Sequence, residues 1–104
     1  MTVNLVSLTL PDFGMSKEQP TIDSKIYFER IKKLKTDLKN NKIESAIIYA
    51  DREHFANMHY LTGFDPRFEE ALLIINTKED FSYLITGPEN QGYSNISKIN
   101  MIKK

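Results

Sequence analysis

EALLIINTKEDFSYLI, residues 70–85, holds two short apolar runs joined by a polar connector. The runs 70–75 (EALLII) and 81–85 (FSYLI) are rich in Leu, Ile, Phe and Tyr, which suit a pleated surface with at least one face buried. Asn76-Thr77-Lys78-Glu79-Asp80 is too short for a crossover, so the two strands must run antiparallel as a hairpin. Upstream, 45–50 (SAIIYA) reads as another buried strand, β-branched at its centre. Helical patterns lie before and after it. The order helix, strand, helix, hairpin, helical turns, strand predicts an α/β fold in which a mixed sheet containing an antiparallel hairpin is packed by helices.

The helix before the first strand has the clearest pattern. Asp23 or Ser24 can cap it, and Tyr27, Ile31, Leu34 and Leu38 recur at spacings of four, three and four up to about Asn41. Lys32, Lys35 and Lys39 form a neighbouring ridge, read as a solvated face because basic helix faces commonly serve solubility. Ahead of this helix, Pro11, Gly14 and Pro20 oppose both a helix and a central strand. Residues 1–23 therefore read as an extended arm and 24–104 as the α/β domain. In the arm, Val3, Leu5, Val6, Leu8 and Leu10 suit either a short edge strand or a docking segment.

After the first strand, Asp51 can accept from free N–H groups of a short helix predicted over 52–58. Thr62-Gly63 and Asp65-Pro66 then break the chain into a loop. Gly87-Pro88 closes the hairpin, 89–94 suggests one or two helical turns, and 99–102 reads as a last strand just before Lys104.

Composition narrows the function classes. Fourteen basic and fourteen acidic residues cancel, removing the broad positive field that drives nonspecific nucleic-acid binding. No apolar run approaches the ~20 residues needed to span a bilayer, and the opening residues lack the basic stretch and cleavage site of a secretory signal. The expected place is the cytoplasm, with neither membrane nor nucleic acid as partner. The absence of cysteine excludes disulfides, thiolate nucleophiles and cysteine-ligated metals.

Few residues offer chemistry. His54 and His59 are five apart, unlike the two histidines of H-E-x-x-H, so the metal signal is weak and a local cap with Asp51 is preferred. Glu69 and Glu70 are strand neighbours, which point to opposite faces and make no facing dyad. No G-x-S-x-G elbow and no glycine-rich phosphate loop is present. What remains is the stretch 57–68, NMHYLTGFDPRF. Its structural reading puts Tyr60 and Leu61 in the core, gives Gly63 a positive φ and lets Pro66 stiffen a turn. Its functional reading rests on Phe64, Arg67 and Phe68, two aromatics and a guanidinium that combine stacking with bidentate carboxylate recognition.

The same stretch carries a resemblance. Asn57, Tyr60, Leu61, Thr62, Gly63 and Phe64, following a strand that ends in Asp51, resemble the N-terminal domain of creatinase, prolidase and aminopeptidase P (Xaa-Pro peptidase) proteins. The preceding helix with Tyr27, Arg30 and Leu34, and the later strand 71–75 and segment Gly87-Pro88-Glu89-Asn90, appear in the order such domains show. The resemblance implies a ribonuclease H-like mixed α/β domain, not catalytic by itself, that shapes substrate access and helps build a homo-oligomer. It also implies that two divalent metal ions and the catalysis belong to a C-terminal domain absent from this chain, which itself needs no cofactor. Substrate contact would fall by position to Phe64, Arg67 and Phe68. The alternative is a stand-alone module that binds a small ligand or associates with itself.

Overall fold

The computed structural model describes residues 1–97 and 102–103. Helix α1 (Ser24–Asn40) leads to strand β1 (Ser45–Ala50), helix α2 (Ala56–Thr62), and strands β2 (Ala71–Asn76) and β3 (Ser82–Thr86). Two 3-10 turns, Pro88–Asn90 and Tyr93–Ile96, precede strand β4 (Ile102–Lys103). The sheet order is β1-β2-β3-β4. β1/β2 and β2/β3 are antiparallel, while β3/β4 is parallel, so the sheet is mixed.

Local chemistry explains most boundaries. The Asp23 carboxylate accepts from the Lys25 N–H at 2.8 Å and starts α1, and the Asn41 N–H returns to the Asp37 and Leu38 carbonyls at its end. β1 spans the residues read from sequence, whereas β2 and β3 each begin one residue later than expected. Pairing starts where Ala71 lies between Ala50 and Thr86, leaving Glu70 exposed ahead of the ladder. In the hairpin turn the Asn76 side chain accepts from the Lys78 N–H at 2.8 Å, a local bond that favours a turn over continued strand. Of the strand expected over 99–102, residues 99–101 lie outside the described residues.

The second helix corrects the sequence reading. Asp51 does accept from the next free N–H groups, those of Glu53 at 2.8 Å and His54 at 2.6 Å, but the side chain thereby holds a loop and does not start a helix. Helix α2 instead begins at Ala56 and runs to Thr62, with the Phe55 carbonyl accepting from the His59 N–H at 2.9 Å.

Register decides which side of the sheet is covered. Directly paired residues share a face, so Ile48, Leu73 and Leu84 point one way and Tyr49, Leu72 and Ile85 the other. The first face meets Tyr27 and Ile31 of α1 and Met58 and Leu61 of α2 in a single core. Leu73 and Ile75 are fully buried there, each stabilising the fold by about 1.5–3 kcal/mol relative to exposure. The opposite face stays largely open, with Ile47 65% and Tyr49 and Ile85 each 50% exposed. Residues 1–23 form neither helix nor strand and are exposed throughout, so the arm does not take the edge-strand option.

Candidate functional site

The loop leaving α2 is aimed by three adjacent residues. Gly63 ends the helix in the left-handed region at φ 73, where a Cβ would be strained, and its N–H donates to the His59 carbonyl at 2.8 Å. The buried Thr62 hydroxyl donates to the Met58 carbonyl at 2.8 Å and accepts from the Phe64 N–H at 3.0 Å. These bonds turn the chain inward at Phe64, which is fully buried with its ring centroid 5.9 Å from that of Tyr93. Phe64 therefore departs from its expected place on an exposed recognition loop: it is a core residue that anchors the loop. Pro66 is also fully buried, and only then does the chain re-emerge at Arg67 and Phe68.

At the surface Arg67 Nε lies 3.6 Å from an Asp65 carboxylate oxygen, and the Phe68 ring is exposed. Arg52, from the loop after β1, joins them around a cleft of about 410 Å³ lined by Arg52, Asp65, Arg67 and Phe68. An adjoining hollow of about 290 Å³ adds Asp51, Glu69, Glu70 and Glu89 to the two arginines. Sequence reasoning misses Arg52 because only the fold brings the β1 exit beside residue 67. Its one available signal is its position directly after the end of a buried strand.

Asp51 is the anchor of that exit. Its carboxyl is held down from 3.8 to about 2, chiefly by the His54 backbone N–H, helped by the Glu53 N–H, the His54 ring and the Tyr49 hydroxyl and opposed by desolvation. Because the folded value lies below the ordinary one, the stabilisation is complete above about pH 4 and disappears as pH falls through about 2. The urea midpoint of wild type is therefore expected to exceed that of Asp51→Asn at pH 6, with the gap closing between pH 4 and pH 2 as measured by circular dichroism. A gap independent of pH would remove the ionic part of the cap.

The other motif residues scatter. Asn57 lines a groove between α1 and α2 that also includes Arg30, Leu34, Ile48 and Tyr60. Tyr60, expected in the core, is 56% exposed. Its ring instead lies beneath the Arg30 guanidinium, 4.1 Å from the centroid, while Arg30 donates to the Tyr60 carbonyl at 2.7 Å. Leu61 is buried as expected. Within the basic ridge of α1, Lys35 is only half solvated: it donates to the Glu79 carbonyl at 2.6 Å, and burial pushes its pKa down.

Neither histidine builds a metal site. His54 Nδ1 lies 3.1 Å from the Asp51 carboxylate, and the His59 ring packs edge-on to Phe55 at 6.4 Å. Among the described residues no group of three or more His, Cys, Asp or Glu side chains converges on a point, so they do not fit the paired divalent ions that the resemblance assigns to another domain. The carboxylates near Arg67 are interleaved with guanidinium groups, an arrangement that suits recognition of a polar ligand. No helix among the described residues is long and apolar enough to cross a membrane.

The segment after the hairpin locks onto the same region. Gly87 packs against the Glu69 carboxylate so closely that a Cβ there would collide with it, and that carboxylate accepts from the Asn90 N–H at 3.3 Å. A mixed sheet with helices on one face, a buried Phe64 anchor and this locked return segment define the chain as a small α/β domain with a polar cleft at its strand ends. Residues 30–100 match the Creatinase/Prolidase N-terminal domain, and the chain belongs to that family. The domain is a non-catalytic part of proteins in a hydrolase family. The comparison with curated proteins returned no match.

Proposed function

We propose that this chain acts as the substrate-shielding and oligomerisation domain of an Xaa-Pro aminopeptidase or creatinase-type metallopeptidase, whose two divalent ions and catalytic groups lie in a separate C-terminal domain. The observation that carries the reading is that Arg52, from the exit of β1, lines one cleft with Arg67 and the exposed Phe68 ring, whose loop is braced from behind by buried Phe64 and Pro66. Two guanidinium groups can hold a carboxylate through parallel N–H donors while the ring covers an apolar side chain. The Asp65 carboxylate, 3.6 Å from Arg67 Nε, attracts that guanidinium as a loose ion pair for which a ligand carboxylate can compete. Phe64 drops out of the contact set because it offers no surface.

Two measurements test this reading. Purified chain supplied with manganese, cobalt or zinc is expected to release nothing from an Xaa-Pro peptide, and metal-dependent cleavage would overturn the proposal. In calorimetry with the dipeptide Ala-Pro, Arg67→Ala is expected to weaken binding about tenfold or more, the scale of one lost charge-assisted hydrogen bond. Equal affinity in both forms would remove Arg67 from the contact set. The alternative, a self-contained ligand-binding module, is favoured if the wild-type chain binds tightly without any partner domain.

A further inference from the structure

The basic ridge of α1 and the turn between β2 and β3 enclose a groove of about 310 Å³, whose lining includes Lys32, Lys35 and Lys39 from the helix and Glu79 and Asp80 from the turn. It lies at the Asn76 end of β2, away from the Arg67 cleft at the Ala71 end. The three lysines, at spacings of three and four, share one helix face, but their surroundings differ. Lys35 is drawn into the groove, where its Nζ donates to the Glu79 carbonyl at 2.6 Å. Lys32 and Lys39 flank it at exposed positions, and among the described residues neither ammonium group has an ion pair, whereas Lys25, Lys33 and Lys78 face Glu29, Asp37 and Glu44. Burial pushes the Lys35 pKa down, Asp80 opposes this, Lys39 lowers it further and Glu79 opposes it again, with the balance below the ordinary 10.5. Lys33 goes the other way, held up by its hydrogen bond to Asp37.

We infer that Lys35 is a modification site, acylated by compact acyl phosphates whose phosphoryl group is held by Lys32 and Lys39. The inference stands apart from ligand binding at Arg67. A lysine amine attacks only through the lone pair of its unprotonated form, and partial burial beside a second ammonium group favours that form. The bond to Glu79 leaves the pair free, because a neutral amine can donate one N–H to the carbonyl and still present its lone pair to the groove. Attack on the acyl carbon forms a C–N bond and breaks the bond from that carbon to the bridging oxygen. The electron pair of the broken bond leaves with the phosphate, and the amine gives up one proton to water. Charge on the departing phosphate grows in the transition state, and two ammonium groups without carboxylate partners line the groove to receive it. The amide product keeps one N–H for the Glu79 carbonyl and loses the positive charge.

Peptide mass spectrometry of the full chain incubated with acetyl phosphate reads the acetylation rate at each lysine. Lys35 is expected to react about tenfold or more faster than Lys17, which is exposed in the arm. Lys32→Gln and Lys39→Gln, both at exposed positions, are each expected to slow Lys35 about threefold or more, with Lys17 and the circular dichroism spectrum unchanged. N-acetylimidazole, a neutral donor, separates holding of the phosphoryl group from reactivity of the amine: Lys32→Gln is expected to leave its rate at Lys35 unchanged. Acetylation of Lys35 by acetyl phosphate no faster than that of Lys17 overturns the inference. Equal slowing by Lys32→Gln with both donors, or no slowing by either glutamine variant with acetyl phosphate, overturns the role of the flanking lysines and with it the assignment to acyl phosphates.

Discussion

Phe64→Ala is expected to lower folding stability by about 3–5 kcal/mol, measured by urea denaturation, because the ring is fully buried and removal leaves a cavity that its neighbours only partly fill. For a domain with a total of about 5–15 kcal/mol, that loss brings the variant close to its unfolding threshold. The effect is concentrated at one point in the chain. Gly63 and the Thr62 hydroxyl fix the turn that inserts Phe64, and Tyr93 from the second 3-10 turn closes over it. Loss of the ring therefore loosens the base of the Arg67 loop from both sides. Arg67→Ala, at an exposed position, is expected to leave the urea midpoint within about 0.5 kcal/mol of wild type. The two variants separate anchoring from contact: a Phe64→Ala protein as stable as wild type would show that the loop is not held by its core residue.

The second large effect tests the sidedness of the sheet. Leu73→Lys places an ammonium group at a fully buried position between β1 and β3, within the hydrophobic cluster of the core. Burial of an unpaired charge costs several kcal/mol, and the variant is expected to lose its cooperative unfolding transition at neutral pH. In the monomeric domain Ile47→Lys lies on the other face and is 65% exposed, so the same new side chain is expected to change stability by no more than about 1 kcal/mol. Denaturation followed by circular dichroism reads both. Comparable losses from the two substitutions would mean that the open face is covered in the isolated domain.

Residues that obey a strong local rule are legible in the sequence. The spacing of Tyr27, Ile31, Leu34 and Leu38 allows only a helix with one buried face, and α1 runs from Ser24 to Asn40 accordingly. The hairpin follows from two apolar runs separated by a polar connector, and β2 and β3 pair antiparallel from Ala71↔Thr86 to Ile75↔Ser82. Gly63 takes its left-handed backbone because no side chain tolerates that turn as well. The departures share a cause. Asp51 has the same local chemistry whether it opens a helix or pins a loop, so its neighbours in space decide, and α2 starts at Ala56. Tyr60 and Phe64 are both large aromatics in one short segment, and nothing in their order says which ring enters the core.

The class of fold, the family and the pairing of the central hairpin can be read from the order of residues, because those rest on periodicity and on positions whose backbone or side chain permits one local answer. It takes the packed chain to make Phe64 an anchor, to bring Arg52 into one cleft with Arg67, and to leave Ile47, Tyr49 and Ile85 at least half exposed on one sheet face. Each of these depends on how separated segments share space: burial is a property of the whole packing, and a single strand with apolar residues on both sides does not encode which side the helices will cover.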